Sequence, residues 1–556
     1  MSADRLIYLP LGGAGEIGMN CYVYGYGPAG DERLIVVDLG VTFPDMDTTP
    51  GVDLILPDIA WLAERRDRIE AIFVTHAHED HVGAVGHLWR RLRVPVFARP
   101  FTAEIARRKM EEQDQPDDAV TTVEPWPHQV QAGPFKVAFL PMSHSIPESS
   151  ALVIDTPAGR VIHTGDFKLD PTPLVGEPFD PELWAEVARP GVRALICDST
   201  NVFTDHPGRS EAVLGPEVEK FVASQPGMVV ATTFASNIAR VRTLALAGMA
   251  AGRSVVLLGR AMRRMVQTAV ETGVLTDFPH TVPVEDAGLI PRESLMLIVT
   301  GSQGERRAAS AQLARGKYLG LELGEGDTFL FSSKTIPGNE KAVIGIMNAF
   351  SEKGVEVVDD RGGLYHVSGH ANRPDLKLIH GIVRPHFLVP MHGEHRHLRA
   401  HVRLAAESGI SGVLAPNGTM LDLSGDLAQV VEHVETGRTY VDGSVLIGAF
   451  DGVVRERIRM ALNGHVMVTL IMDEEDEPVG DPWCETMGLP ETGSSRTPLV
   501  DVLEHDLDQF LRRADDDVLV DDEKLSEALR RTVRNTAQSE IGRKPEVTVV
   551  VSRLSA

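Results

Sequence analysis

The sequence predicts a layered α/β protein, and three observations carry that prediction. Strand and helix patterns alternate from the start of the chain to about residue 200. They alternate again from about 211 to 360. Polar turns rich in histidine and aspartate fall at the ends of apolar strands, where open α/β sheets gather their ligand sites. The 556 residues suggest about three or four domains, and 43% apolar residues supply a substantial core.

Composition narrows the function classes. Cys21, Cys197 and Cys484 are too few and too scattered for a disulfide framework and read as buried small residues in a reducing cytoplasm. Met1-Ser2-Ala3-Asp4-Arg5 is not a basic segment followed by an apolar one, so no signal peptide is expected. No apolar run approaches the ~20 residues that span a bilayer. The expectation is a cytoplasmic protein with no membrane partner. A net charge of −25 argues against a surface that coats nucleic acid. It leaves open an enzyme whose metals and basic groups are confined to a channel. The acidic runs at 473–477, 515–517 and 521–523 read as solvated loops or helix ends.

Gly13-Ala14-Gly15-Glu16-Ile17-Gly18 satisfies G-x-G-x-x-G, and Asp38 lies twenty residues beyond Gly18. The context contradicts a dinucleotide site, because Cys21-Tyr22-Val23-Tyr24 continues as a strand and no helix follows. A glycine turn between strands is the expectation, with Asp38 buttressing a metal loop. The apolar run Ala71-Ile72-Phe73-Val74 then leads into Thr75-His76-Ala77-His78-Glu79-Asp80-His81, and helical spacing follows from Val82 to Leu92. Three imidazoles with carboxylate in six residues is the density of a metal site, and this donor set suits zinc or a similar divalent ion. One turn cannot wrap all of them around one ion. His76 and His78 can face one metal while Asp80 and His81 face a second, each metal needing ligands from elsewhere. Two metals about 3.5–4 Å apart form a hydrolytic centre suited to phosphate diesters.

His144 follows the strand Val137-Ala138-Phe139-Leu140, and Asp166 follows Arg160-Val161-Ile162-His163. Both occupy strand ends, as the first cluster does. Between 211 and 360, strands at 228–232, 254–258 and 294–299 each precede a turn of small residues able to offer backbone N–H groups to phosphate. A second dense cluster runs from His366 through Ser368, Gly369 and His370 to His392, which ends the strand Phe387-Leu388-Val389. His395 and His397 open a helix to Ala406 and are expected to be exposed. The tail carries strands at 466–471 and 547–551 with helices at 499–513 and 523–539, and no evident site.

Taken together, His76-Ala77-His78-Glu79-Asp80-His81, His144, His163-Thr164-Gly165-Asp166 and His392 resemble the metallo-β-lactamase superfamily. Asp198-Ser199-Thr200-Asn201, Phe234-Ala235-Ser236-Asn237, Thr300-Gly301-Ser302-Gln303-Gly304-Glu305, Ser368-Gly369-His370 and Pro390-Met391-His392-Gly393-Glu394 narrow this. They resemble the bacterial ribonuclease J family of β-CASP nucleases over nearly the whole chain. The resemblance implies a metallo-β-lactamase αββα sandwich (1–210 and 361–455), an inserted α/β β-CASP domain (211–360) and a small C-terminal α/β domain (456–556).

It also implies roles. His76, His78 and His144 would hold one metal, Asp80, His81 and His392 the other, and Asp166 would bridge. Zinc is the expected ion, and manganese suits the same donors. Asp80, Asp198 and His370 would be the catalytic groups, His370 assisting the leaving 3′ oxygen. Ser236 with His366, Val367, Ser368, Gly369 and His370 would form a substrate-phosphate pocket. Gly51, Asp53 and Asp442 match a structural cation site, with calcium the expected ion. Ala239, Ala261 and Arg306-Arg307 depart from the family pattern beside its motifs and put details of RNA grip in question.

The implied activity is 5′-to-3′ exonuclease action on single-stranded RNA, preferring a 5′ monophosphate, with endonuclease action besides, in RNA maturation and decay. The implied partners are further copies in a homodimer or homotetramer through the tail domain and the components of an RNA-degradation complex. Three rivals remain: a small-molecule metallo-hydrolase, a DNA-directed nuclease on the same scaffold, and a catalytically idle RNA-binding scaffold.

Overall fold

The computed structural model describes residues 4–360 and 362–554. The chain divides into two compact units, one running to Thr42 and then Leu56–Arg438, the other Phe43–Ile55 with the chain from Thr439 onward.

The first unit is built on two sheets packed face to face. One has eight strands in the order Gln429–His433, Thr419–Asp422, Asp4–Gly12, Cys21–Pro28, Arg33–Val37, Ile69–Phe73, Val96–Ala98 and Val120–Thr122. The other has seven, in the order Ser411–Gly412, Phe387–Met391, Ala194–Asp198, Gly159–His163, Ser150–Thr156, Phe135–Pro141 and Val130–Ala132. Strand side chains alternate between faces, and the two cores show it. Tyr8, Tyr24, Ile35, Val37 and Phe73 of the first sheet meet Val137, Phe139, Ile154, Ala194 and Ile196 of the second in one buried cluster. The intervening residues Leu195 and Cys197 point the other way. They pack with Trp184, Ile379 and Leu404, which lie on the helices Pro181–Ala188, Arg373–Val383 and His395–Glu407. Each fully buried aliphatic or aromatic side chain contributes about 1.5–3 kcal/mol. This is the expected sandwich, with helices outside the sheets.

The glycine stretch behaves as its context predicts. Asp4–Gly12 and Cys21–Pro28 pair antiparallel, Tyr8 opposite Tyr24, with the glycines in the connection. The expected helix from Val82 to Leu92 is two pieces, Glu79–Val82 and Val85–Leu92. Gly40 explains the tight packing at the first piece: a Cβ there would lie 1.6 Å from the Asp80 carbonyl oxygen. Only glycine lets the strand loop approach so closely.

Within the same unit, a five-stranded parallel sheet occupies the inserted segment, in the order Ser254–Leu258, Leu295–Val299, Val229–Thr232, Thr328–Phe331 and Glu356–Val358. Its strands are nearly continuous apolar runs, as both-face burial requires. Phe329 and Phe350 stack at its centre with ring centroids 4.4 Å apart. Arg240, fully buried, joins this segment to the loop before His370. Its guanidinium donates to Glu211 through Nε and Nη2, and to the carbonyls of Ser332 and Tyr365 through Nη1.

The second unit holds a sheet in the order Trp483–Met487, His465–Met472 and Glu546–Arg553. Val466, Val468, Leu470 and Met472 face Leu503, Leu507, Leu525 and Leu529 of the helices Leu499–Leu511 and Asp522–Ile541. Both helices fall within a few residues of expectation. Asp521 caps the second by accepting from the N–H groups of Glu523 and Lys524. This unit begins at Thr439, ahead of the expected 456, and takes in 43–55. The reason is backbone pairing: Thr439–Asp442 pairs with Val445–Gly448, and the Asp53 N–H donates to the Val441 carbonyl at 2.8 Å. Among the described residues no helix is long and apolar enough to cross a membrane.

Candidate metal centre

Strand ends of both sheets of the first unit deliver the histidines and aspartates to one place. His76, His78 and His81 follow Ile69–Phe73, and His392 follows Phe387–Met391. His144 follows Phe135–Pro141, and Asp166 follows Gly159–His163. One donor atom from each of His76, His78, His144 and Asp166 lies within 4.8 Å of the others, and the same holds for Asp80, His81, Asp166 and His392. Asp166 belongs to both groups, the placement of a bridge. His78 Nδ1 stands 3.2 Å from His76 Nε2 and 3.1 Å from His144 Nε2. Asp166 Oδ2 is 3.3 Å from His81 Nε2 and 4.0 Å from both His76 Nε2 and His144 Nε2.

The donors are oriented from behind. Asp38 lies beneath the turn, one oxygen 2.7 Å from His81 Nδ1, the other accepting from the Thr75 N–H at 2.8 Å. His144 donates through Nδ1 to the Gly369 carbonyl at 2.6 Å. Each of these fixes which ring nitrogen faces the centre. Asp38 and His392 hold left-handed backbone, φ 62° and 47°, strain that is retained where it aims a functional group. Asn20 adds a support that sequence reasoning missed. Its amide donates to the Asp80 carbonyl at 2.9 Å while its own carbonyl accepts from the Tyr22 hydroxyl at 2.7 Å. The signal was present as a polar residue before an otherwise apolar strand, and only the fold brings it to Asp80.

Burial and charge act in opposite directions here. Burial, reinforced by the neighbouring imidazoles, holds His76 and His144 well below the ordinary histidine range. Burial likewise brings His78 down to about 4. Burial also opposes charge on His81 and His392, but the carboxylates overcome it: Asp166 and Asp80 raise His81 well above its usual range and His392 to about 10. Asp166 is driven down by His392 and His81 against the cost of its burial. His392 Nε2 is buried without a hydrogen-bond partner among the described residues and lies 3.2 Å from Asp80 Oδ2. An orphaned imidazole nitrogen facing a carboxylate fits a divalent cation. The nitrogen–oxygen donor set, lacking sulfur, fits zinc or manganese.

His370 Nδ1 is 2.8 Å from Asp198 Oδ2 and 3.9 Å from Asp166 Oδ2. Burial lowers its affinity for a proton, and Asp198 more than restores it. Asp198 is held in turn by the Thr200 N–H and hydroxyl, at 2.9 and 2.7 Å. Asn201 organises the loop beside it, donating to Ser368 Oγ at 2.8 Å and to the His370 carbonyl at 3.2 Å. A cavity of about 400 Å³ opens there, lined among others by Asn201, Arg209, Lys334, His366, Val367 and Ser368. Of the expected phosphate-pocket residues, Ser236, Gly369 and His370 are not among its lining.

Two expectations are corrected or qualified. His395 is exposed, but His397 is buried, accepting from the Glu394 N–H at 3.1 Å as part of the helix cap and lying against Phe203. Gly51, Asp53 and Asp442 do lie in one unit, but an arginine already supplies positive charge there. Arg457 donates to Asp442 at 2.6 Å and reaches the Pro50 carbonyl at 3.5 Å, while Asp53 accepts from the Gly443 N–H at 2.9 Å. A calcium ion would have to displace that guanidinium, so the residues present do not fit one.

The chain is similar to known proteins along nearly its whole length. Residues 14–223 match the metallo-beta-lactamase superfamily, and 226–350 the beta-CASP domain of ribonuclease J. Residues 356–416 match the RNA specificity domain of zinc-dependent metallo-hydrolases, and 452–554 the ribonuclease J C-terminal domain. Ribonuclease J of Sinorhizobium meliloti is 42% identical over 99% of this chain and 98% of its own. Ribonuclease J of Mycolicibacterium smegmatis is 37% identical over 97% and 96%. A crystal structure of an Enterococcus faecalis protein of unknown function covers 80% of the chain at TM-score 0.50 and 16% identity, a likeness of fold alone.

Proposed function

The chain belongs to the ribonuclease J family, and on that premise we propose that it is a metal-dependent ribonuclease that hydrolyses RNA phosphodiesters at the Asp166-bridged centre. We further propose two ions per chain, zinc or manganese, and 5′-to-3′ exonuclease action preferring a 5′ monophosphate, with endonuclease action besides. The observation that carries the reading is Asp166, shared by two donor groups beside the Asp198–His370 pair.

When bound, the two ions lower the pKa of a water and neutralise charge developing on the phosphate. His76, His78 and His144 would hold one, and Asp80, His81 and His392 the other. Asp80, a quarter exposed, stays ionised and accepts a hydrogen bond from the attacking water. As the new P–O bond forms, the bond to the 3′ oxygen breaks. His370, kept protonated by Asp198, donates its proton to that oxygen. The products are a 5′ phosphate and a 3′ hydroxyl. Arg209, Lys334 and His366 around the neighbouring cavity give an incoming phosphate positive and hydrogen-bonding partners. Ser368, held by Asn201, offers a hydroxyl.

The test uses one RNA prepared with a 5′ monophosphate, triphosphate or hydroxyl, and wild type beside His76→Ala, in zinc or manganese. Mononucleotides released fastest from the monophosphate form, and lost in the variant, are the expected result. Internal fragments independent of the 5′ end would make endonuclease action primary. Failure to cut any RNA with metal bound would overturn the ribonuclease reading.

A further inference from the structure

A second cluster of ligand-type side chains lies on the other face of the strand Ala194–Asp198. Asp198 points towards the catalytic centre, so its neighbour Cys197 points into the helix-covered core. There Cys197 meets His380 of the helix Arg373–Val383 and His401 of His395–Glu407. One donor atom from each lies within 4.8 Å of the other two. All three residues are fully buried.

Hydrogen bonding alone leaves this cluster incomplete. The Nε2 atoms of His380 and His401 stand 3.0 Å apart, so one donates to the other. His401 Nδ1 is satisfied by Ser199 Oγ at 2.9 Å. Among the described residues His380 Nδ1 is left buried with no partner. An unpaired imidazole nitrogen inside a core is costly, and the Cys197 sulfur lies within 4.8 Å of a nitrogen of each ring. We propose that Cys197, His380 and His401 form a third metal site, specific for a soft monovalent ion of the copper(I) class.

The choice of ion follows from donor chemistry and charge. Thiolate with imidazole selects soft ions, and three donors suit a trigonal copper(I) better than a tetrahedral zinc. Copper(I) with one thiolate is neutral, whereas zinc would leave a net positive charge in an apolar core. The adjacent carboxylate, Asp198, is committed to His370 and Thr200 on the opposite face. Three donors at about 2.0–2.3 Å from one ion sit roughly 3.5–4 Å apart. The histidine nitrogens, 3.0 Å apart, would open by about half an ångström, which rotamer adjustment can supply. On binding, the S–H bond is replaced by S–Cu, the proton leaves to solvent and no atom changes oxidation state. Burial holds both imidazoles neutral, His380 down to about 4, so neither must lose a proton.

The experiment is an anaerobic titration of the zinc-loaded full chain with copper(I) buffered by a bicinchoninate chelator, read by copper-edge X-ray fine structure. Because the catalytic centre contains no sulfur, a sulfur scatterer places the copper outside it, and Cys21→Ser and Cys484→Ser separate this cluster from the other two thiols. The expected result is one retained copper per chain, with one sulfur and two nitrogens. Affinity should fall by at least about 100-fold in Cys197→Ser and persist in Cys484→Ser. Thermal melts would establish that the variants fold, and His380→Asn and His401→Asn carry the same test if Cys197→Ser does not. Copper stripped by the chelator, or bound with nitrogen and oxygen only, overturns the site. Sulfur-ligated zinc in the protein as purified overturns the choice of ion.

Discussion

The strand Ala194–Asp198 separates two histidine clusters that share a residue type and differ in nearly every physical respect. On the Asp198 side, carboxylates outnumber what burial alone would tolerate, and they drive His81 and His392 towards the charged form. On the Cys197 side no carboxylate is among the cluster's donors, and burial drives His380 and His401 towards the neutral form. An imidazole has no fixed behaviour in a protein interior. Its charge is set by whether desolvation or a carboxylate partner is the larger effect. The first cluster is therefore arranged for hard, divalent, charge-demanding chemistry, and the second for a neutral complex or none.

Asp166 is where breaking the contrast should cost most. Asp166→Asn removes the charge common to both donor groups, and RNA hydrolysis should fall on the order of 10³-fold or more, read as kcat/KM on a 5′-monophosphorylated RNA. A loss under tenfold would mean the shared carboxylate does not bridge.

The Cys197 side is tested through stability in the metal-free protein. His380 is neutral when folded, with a pKa of about 4, and takes a proton near 6.5 when unfolded. The unfolded state thus binds more protons between those values. Stability is fully present above about pH 6.5 and declines as pH falls towards 4, by up to roughly 3 kcal/mol from this group. Urea titrations across that window should show a shallower decline in His380→Asn. An unchanged slope would show that the ring is not held neutral.

Asp38→Asn should sharpen the comparison by removing only the support behind His81. Metal affinity should weaken about 10–100-fold, measured by competition with a chelator, with the fold intact. The smallest effect is expected for Asp198→Asn. Without that carboxylate the His370 pKa drops, so the alkaline limb of the kcat–pH profile moves to lower pH. A limb that stays in place would remove His370 from the proton transfer.

Much of this was legible along the chain because the relevant signals are local. His76, His78, Asp80 and His81 occupy one turn, and periodicity alone placed the two tail helices to within a few residues. What was not legible depends on distant chain segments meeting. His397 looked like its exposed neighbour His395, but it turns back to accept from the Glu394 N–H and lies against Phe203. Arg457 had no motif, yet it fills the place expected for a cation beside Asp442. Arg240 belongs to no motif, and tertiary packing makes it a buried tie between two segments.

By itself, then, the sequence indicated the α/β class and the strand-end turns, because periodicity and residue chemistry act over short spans, and its family resemblance named seven candidate metal donors. Tertiary structure brings those candidates together, with Asp166 in both groups. It also decided that Cys197 faces His380 and His401, since strand alternation and helix docking choose the neighbours of every buried side chain.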